Sequence, residues 1–468
     1  LLPPAVTGAA LTIVVVATIV REIVGWQPAG HLAIACLCLY VFGLAAGLPR
    51  AGKAILIVAM AVGLIAMVWV DDIAANLLQA GRTASYYATL FTAVGFLRAA
   101  AETSPLIRRC GWHMMAQSPS RRYAALTFGS NLFSLILSFG TLQLLGTMVR
   151  RANTLEAAGG DANVQAVRAR RLYSAVLRGF AMSPGWSPLS VALAIALAVT
   201  PGTHWQTVLP VAFVTAMGLL ALGWLMDVFT APRGRPRVDA PQSDERWTVH
   251  LRLIALIGFI FLTAVAIEEA LSVRLIDGVI LGVPTIAIGW LVWQVRRRRV
   301  RTAVALVLRR IGRQIRSVFP TYRMEVTILA SAGFAGTMIA AALPTELIAA
   351  GIRALHLPPE LIPGLVVVLI VLGGQLAMNP IISVSIVAAI LPPPEALGTT
   401  PAVVAASYMI AWGLCVGGSP FTLSTLIIGG IAGKTGRFVG HVWNGAYTII
   451  GVALVIAWFA ALSWLLGP

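Results

Sequence analysis

The sequence predicts an all-α polytopic membrane protein in which interrupted helices recur in two halves, behind a set of N-terminal scaffold spans. Three observations lead there. Of its 468 residues 59% are hydrophobic and 11% charged, with a mean hydropathy of +0.88, whereas an ordinary soluble domain carries about 25% charged residues. Apolar runs of about 17 residues or more recur along the chain, roughly thirteen crossings or part-crossings, each able to span a hydrocarbon core of about 30 Å as a helix. The later runs hold Gly, Pro, Ser and Asn at their centres, in two sets divided by a polar segment. Continuous runs of this length exclude a β-barrel, whose strands are about half as long and alternate in polarity.

Residues 1–82 contain three plain runs, 5–20, 31–48 and 54–70, with few polar residues inside, and read as scaffold spans. The first lacks a small-residue cleavage site and so reads as a span, not a signal peptide. Residues 83–230 form a first transport repeat. Its run 123–149 has Gly129-Ser130-Asn131 near the start and Gly140-Thr141 later, and its run 172–200 contains Ser183-Pro184-Gly185-Trp186-Ser187-Pro188. Two prolines this close remove backbone donors and unwind the span there. Broken backbone at membrane depth is tolerated only where protein or a water-filled cavity surrounds it.

Residues 231–250 read as a polar linker, rich in Pro, Arg, Asp and Ser. Residues 251–325 hold two plain connecting spans, 252–270 and 275–295, followed by the basic stretch 296–323. In that stretch Val304, Val307, Leu308, Ile311, Ile315 and Val318 recur at helical spacing among arginines, the pattern of an amphipathic helix lying in the membrane interface. Residues 326–468 form a second transport repeat, with runs at 326–349, 362–391 and 401–430. Placing Gly179 on Gly413 puts Leu189-Ser190 on Leu423-Ser424, so the two breaks coincide, and Gly129-Ser130-Asn131 finds its counterpart in the segment from Gly373-Gly374-Gln375 to Asn379-Pro380. Paired interrupted spans in two halves point to a secondary transporter built from internal repeats.

The net charge of +17 is almost wholly arginine, since Lys53 and Lys434 are the only lysines. Basic loops between apolar runs favour the cytoplasmic side of a bacterial-type inner membrane and attract anionic headgroups, so membrane lipid is the expected partner and nucleic acid is not. Cys36, Cys38, Cys110 and Cys415 show no paired CxxC spacing, against a zinc site or structural disulfides. An enzyme is not expected, because HExxH and GxSxG are absent and no histidine base accompanies the serines inside a span. Gly433-Lys434-Thr435 has only the ending of a phosphate loop, which excludes a pump with its own ATPase.

A helix that stops inside the membrane leaves free amides that bind anions and free carbonyls that bind cations. The side chains around the breaks are small and neutral, among them Ser130, Asn131, Ser183, Ser187, Asn379, Ser419 and Thr422; they can donate to a carboxylate or offer oxygen to sodium. Such residues commonly glue helices together, but beside paired breaks Asn131, Ser183, Asn379 and Ser419 read as ligands. The acids, including Asp227, Glu325 and Glu346, fall near run ends, so no acidic pair sits at a span centre as a proton relay needs. Sodium is therefore the expected coupling ion ahead of H+. Arg178, before the first break, and Arg98 either face an anionic solute or snorkel to headgroups. His113, His204, His250, His356 and His441 flank the runs and are expected at interfaces or in loops.

These features resemble the ion transporter superfamily that includes the divalent anion/sodium symporters and the arsenite-antiporter-like permeases. The resemblance rests on Gly129-Ser130-Asn131 and Gly373-Gly374-Gln375 to Asn379-Pro380 at the hairpin tips, and on Ser183 to Pro188 and Gly417-Gly418-Ser419-Pro420-Phe421-Thr422 at the broken helices. The symporter branch carries Ser-Asn-Thr at both tips, where this chain has Ser130-Asn131-Leu132 and Met378-Asn379-Pro380. The resemblance implies two inverted repeats with re-entrant hairpins, an elevator-type mechanism and a homodimer. It places a first cation site at Ser130 and Asn131 with the backbone of Ser183 to Gly185, and a second at Asn379 with Gly417 to Ser419. Ser187 and Thr422 would face a small anionic solute of the organic carboxylate class, with Ser130, Asn131, Asn379 and Ser419 close by. The other readings are an efflux permease for an inorganic oxyanion or metalloid, and a membrane scaffold or enzyme subunit that transports nothing.

Overall fold

The computed structural model describes residues 2–102, 104–230, 245–297, 299–344, 347, 350–351, 354 and 357–467. Among them every regular element is helical, and nine helices are long and apolar enough to cross a membrane. The chain is thus an all-α, multi-pass membrane protein. Residues 231–244 of the expected linker, and Glu346 and His356, lie outside the described residues.

The helices begin with α1 (Pro4–Val24), α2 (Gln27–Leu44), α3 (Arg50–Trp69), α4 (Ile73–Glu102), α5 (Pro105–Met115), α6 (Pro119–Leu137) and α7 (Gly140–Ala152). Next come α8 (Ala162–Ala181), α9 (Val191–Val199), α10 (Trp205–Thr230), α11 (Thr248–Leu271), α12 (Leu275–Val295), α13 (Val300–Arg313) and α14 (Arg323–Ala342). The last are α15 (Ile362–Gln375), α16 (Pro380–Ile390), α17 (Pro401–Gly418), α18 (Leu423–Ala432) and α19 (Gly445–Leu466).

The chain forms two units. The first comprises Leu1–Thr103, Gly258–Ile348 and Ala388–Leu391. In it α1 ends at Gly25, whose left-handed φ of 75° lets its N–H return to the Arg21 carbonyl, and α2 then packs back on α1. Leu11, Tyr40, Ala88, Phe319 and Val326 share one core, and the Tyr40 hydroxyl donates to the Phe319 carbonyl at 2.6 Å. The buried carboxylate of Asp277 is paired, as burial demands. Arg274 donates to Glu22 at 2.9 Å and to Asp277 at 3.0 Å, and Tyr86 donates to Asp277 at 2.8 Å. The basic stretch is helical as α13, seated through Ala303, Leu306, Val307 and Ile311 against Leu291 and Val295 of α12.

The second unit comprises Ser104–Ile257, Ala349–Val387 and Pro392–Pro468. Its element order repeats. A helical hairpin (α6–α7), a helix that breaks and resumes (α8–α9) and a long helix (α10) recur as α15–α16, α17–α18 and α19. Each hairpin turns at a non-glycine residue of positive φ, Ser138 at 49° and Ala377 at 65°. Gly129-Ser130-Asn131 therefore lies inside α6, about two turns before the hairpin turn, and not at its tip. His113 and His250 also depart from expectation: both are buried in helices, with Nδ1 of one 3.0 Å from Nε2 of the other. His204 and His441 are exposed. Near this pair, at the unit's surface, a hydrogen bond from Arg109 at 2.8 Å holds the Glu245 carboxyl below the ordinary carboxylate range.

Candidate functional site

Both broken helices lie in the second unit. α8 stops at Ala181 and α9 starts at Val191, and the intervening stretch holds Pro184 and Pro188, which cannot supply helix donors. α17 stops at Gly418 and α18 starts at Leu423, around Pro420. The breaks fall within a few residues of the positions that the Gly179–Gly413 alignment makes equivalent.

The helices cross because small residues meet at the breaks. A Cβ on Gly413 would stand 2.9 Å from the Ala181 carbonyl, and one on Gly417 would touch the Ala181 Cβ at 3.2 Å. A Cβ on Gly185 would lie 3.3 Å from Ile410. These contacts bring the end of α8 and its break against α17, so that the orphan carbonyls of one helix end approach the other helix.

Asn131 and Ser130 hold the first break. The carbonyl of Gly179 is among those a helix end leaves without a partner, and the Asn131 amide donates to it at 3.0 Å. The Asn131 carbonyl accepts from the Trp186 indole at 3.0 Å, tying the unwound segment to α6. Ser130 donates to the Val176 carbonyl at 2.9 Å and Ser183 to that of Phe180 at 2.9 Å, while Ser187 accepts from the Leu189 amide at 3.1 Å. Asn131→Ala orphans the Gly179 carbonyl and the indole together. A stability loss of about 1–3 kcal/mol is expected, read by denaturant unfolding in detergent; unchanged stability would show that these bonds hold nothing.

At the second break Ser419 donates to the Gly374 carbonyl at 2.6 Å, which ties the break to hairpin helix α15 as Ser130 and Asn131 tie the first to α6. The Val416 carbonyl accepts from Thr422 at 3.0 Å and from Ser424 at 2.7 Å, and the Ser419 carbonyl accepts from Thr422 at 3.1 Å and Thr425 at 2.9 Å. Two carbonyls and three hydroxyls thus form an all-oxygen cluster, the donor set a hard cation prefers. Ser424 and Thr425 escaped sequence reasoning, although their hydroxyls follow the break directly. Asn379 caps α16, accepting from the Ile381 amide at 3.0 Å, and among the described residues none of its hydrogen bonds is to Gly417 or Ser419.

Among the described residues Arg178 meets no acid, and it does not reach outward to snorkel. It is buried, and its guanidinium donates to Asn444 Oδ1 at 2.9 Å, to the Tyr123 hydroxyl at 2.8 Å and, at longer range, to the carbonyls of Gly223 and Trp443. The Tyr447 ring lies 4.4 Å from its carbon centre, a cation–π contact. Every partner is neutral. The nearby buried acid Asp227 is instead clamped by Arg171 through two bonds of 2.8 and 2.7 Å, so a fixed positive charge persists about one turn before the first break. Arg98 pairs with Glu102 at 2.7 Å in the first unit. The partners of Arg178 come from three separate stretches of chain, and only Asn444-Gly445, a polar pair leading into the final apolar run, left a sign in the sequence.

No family model matches the chain, and no curated protein matches it. Solved structures do. The YdaH transporter of Alcanivorax borkumensis, described as having an unusual topology, aligns at 16% identity over 81% of this chain and 86% of that one, with a TM-score of 0.50. MtrF of Neisseria gonorrhoeae, described within a class of antimetabolite efflux pumps, aligns at 13% identity over 90% of this chain and 97% of that one, with a TM-score of 0.54. Over most of its length, this chain has the fold of helical membrane transporters.

Proposed function

We propose that the protein is an ion-coupled secondary transporter that moves a small anionic solute, of the organic carboxylate class, by elevator-type alternating access. The observation that carries this reading is the pair of crossing broken helices with the acid-free Arg178 beside the first break. Broken helices packed around a midplane site are the device of secondary transporters, and a buried cation with only neutral partners favours an anionic guest. Its neighbours in fold are transporters, not enzymes.

In this reading the two halves are inverted repeats, the protein is a homodimer in a bacterial-type inner membrane, and sodium or H+ supplies the drive. Ser130, Asn131, Ser183 and Gly185 serve one cation site. Gly417 and Ser419 serve the other, joined by the oxygen cluster of Thr422, Ser424 and Thr425, with Asn379 acting through the turn it caps. Ser187 and Thr422 face the solute. Export is the second reading, favoured by the likeness to MtrF, whose class is named for efflux; an inorganic oxyanion or metalloid would then be the cargo.

The test is the current evoked in proteoliposomes on a solid-supported membrane by a panel of carboxylates and oxyanions, with and without a sodium gradient, alongside tracer flux. Sodium-dependent current or flux for one carboxylate class is the expected result. Flux of an oxyanion alone would favour the second reading, and absence of both signals from folded protein would sink transport of these anions.

A further inference from the structure

We infer that α13 is a docking surface for anionic phospholipid: acyl chains cover its bare apolar strip and headgroup phosphates meet the arginines beside it. This inference is independent of what the protein transports. Helix α13 is apolar over more of its circumference than the protein covers. Ala303, Leu306, Val307 and Ile311 pack inward. Val300, Val304 and Leu308, spaced four apart on one stripe, are instead 78%, 52% and 63% exposed. By the helical period Arg301 borders that stripe, the exposed Arg309 and Arg313 lie farther round the helix, and the exposed Arg316 follows in the turn after it.

The charge is one-sided. From residue 296 to residue 324 the sequence holds no Asp or Glu, and none of these four arginines enters an ion pair among the described residues. The surface is therefore complementary to anions. The choice of lipid over a soluble anion rests on the bare apolar stripe, which a phosphate alone would leave in water. It rests also on position. α13 follows the span α12 almost at once, and near the end of α12 the exposed Trp293 carries Arg296 over its ring at 3.9 Å, the aromatic and basic pair that marks a membrane border.

The experiment titrates phosphatidylglycerol, and phosphatidylcholine of the same acyl chains, into the full-length protein in neutral detergent, and follows thermal stability. Three forms are compared: wild type, the R301Q/R309Q/R313Q/R316Q variant, and a control, R108Q/R121Q/R151Q/R170Q, which removes four exposed arginines elsewhere. Wild type is expected to be stabilised by phosphatidylglycerol more than by phosphatidylcholine, with the preference shrinking in high salt. The concentration for half effect should rise at least about tenfold in the α13 variant, since each surface arginine adds to the attraction for anionic headgroups, and change little in the control. Equal losses in both variants would reduce the effect to net charge and overturn the proposal. So would equal stabilisation by the two lipids, or a switch in oligomeric state in the α13 variant, which would assign the stripe to a second copy. Were that variant misfolded without lipid, the salt dependence of the wild type alone would decide: a preference insensitive to salt rejects the arginine–phosphate contact.

Discussion

Arg178→Met is expected to lower stability by about 2–4 kcal/mol and to abolish anion transport, whereas Arg178→Lys lowers stability comparably and keeps measurable transport. Two effects compete in the Met variant. Removing a buried charge relieves its desolvation, which favours the change. Against that, Asn444 Oδ1 and the Tyr123 hydroxyl lose short charge-assisted bonds of 2.9 and 2.8 Å, each contributing about 1.5–3 kcal/mol, and buried acceptors are left bare. The Gly223 and Trp443 bonds, at 3.3 and 3.4 Å, count for less. We expect the second effect to win, because the two short bonds are lost together and their acceptors stay buried. Lysine keeps the charge but lacks the planar fork that reaches both Asn444 and Tyr123. Unfolding in denaturant and flux in proteoliposomes separate the roles: a Met variant that is destabilised yet transports normally would make Arg178 a purely structural residue.

Gly179→Ala is expected to cost about 3 kcal/mol or more and to disable the site, although it adds a single methyl. That methyl would stand 2.0 Å from the Thr127 carbonyl and 2.1 Å from the Ser130 hydroxyl. The first is backbone and cannot swing aside, so α6 and α8 must part. Overpacking of this kind costs about 1–3 kcal/mol, and the separation also stretches the Asn131–Gly179 and Ser130–Val176 bonds, each with its own loss. Gly218, inside α10, is the matched control, because a methyl added there would meet nothing within 4 Å. There alanine should be neutral or stabilising by up to about 1 kcal/mol, since it restrains the unfolded chain. Equal thermal unfolding of the two variants would refute the close approach of α6 and α8.

What could be read from the chain was what local chemistry decides. Pro184 with Pro188, and Pro420 beside Gly417-Gly418-Ser419, mark breaks where the lone Pro210 and Pro284 stay inside helices, so both interruptions were legible, and so was the helical period of α13. The first hairpin turn was not, whereas the second, at Ala377, falls inside the expected tip from Gly373 to Pro380. Gly129-Ser130-Asn131 has the composition of a tip, but its small polar groups face the end of α8 from within a continuous helix. The chain turns there instead at Ser138, a residue with no turn signature, at positive φ. The cage around Arg178 was equally hidden, because Tyr123, Gly223, Asn444 and Tyr447 converge only through tertiary packing. His113 and His250 each flank an apolar run and read as interfacial; their mutual contact, across more than a hundred residues of chain, and the Trp247 ring against both bury them.

The two interruptions differ in length, residues 182–190 against 419–422, and this has a thermal consequence. Each non-helical residue that is fixed forfeits about 1–2 kcal/mol of backbone entropy, and this debt grows with temperature. The first interruption carries roughly twice the debt of the second, and its order depends on groups reaching in from α6. On warming it should therefore be the first to fluctuate, with its amides exchanging hydrogen before those of residues 419–422. The two crossing helices would then differ in heat sensitivity although their element order repeats, giving the site one pliant wall and one stiff one.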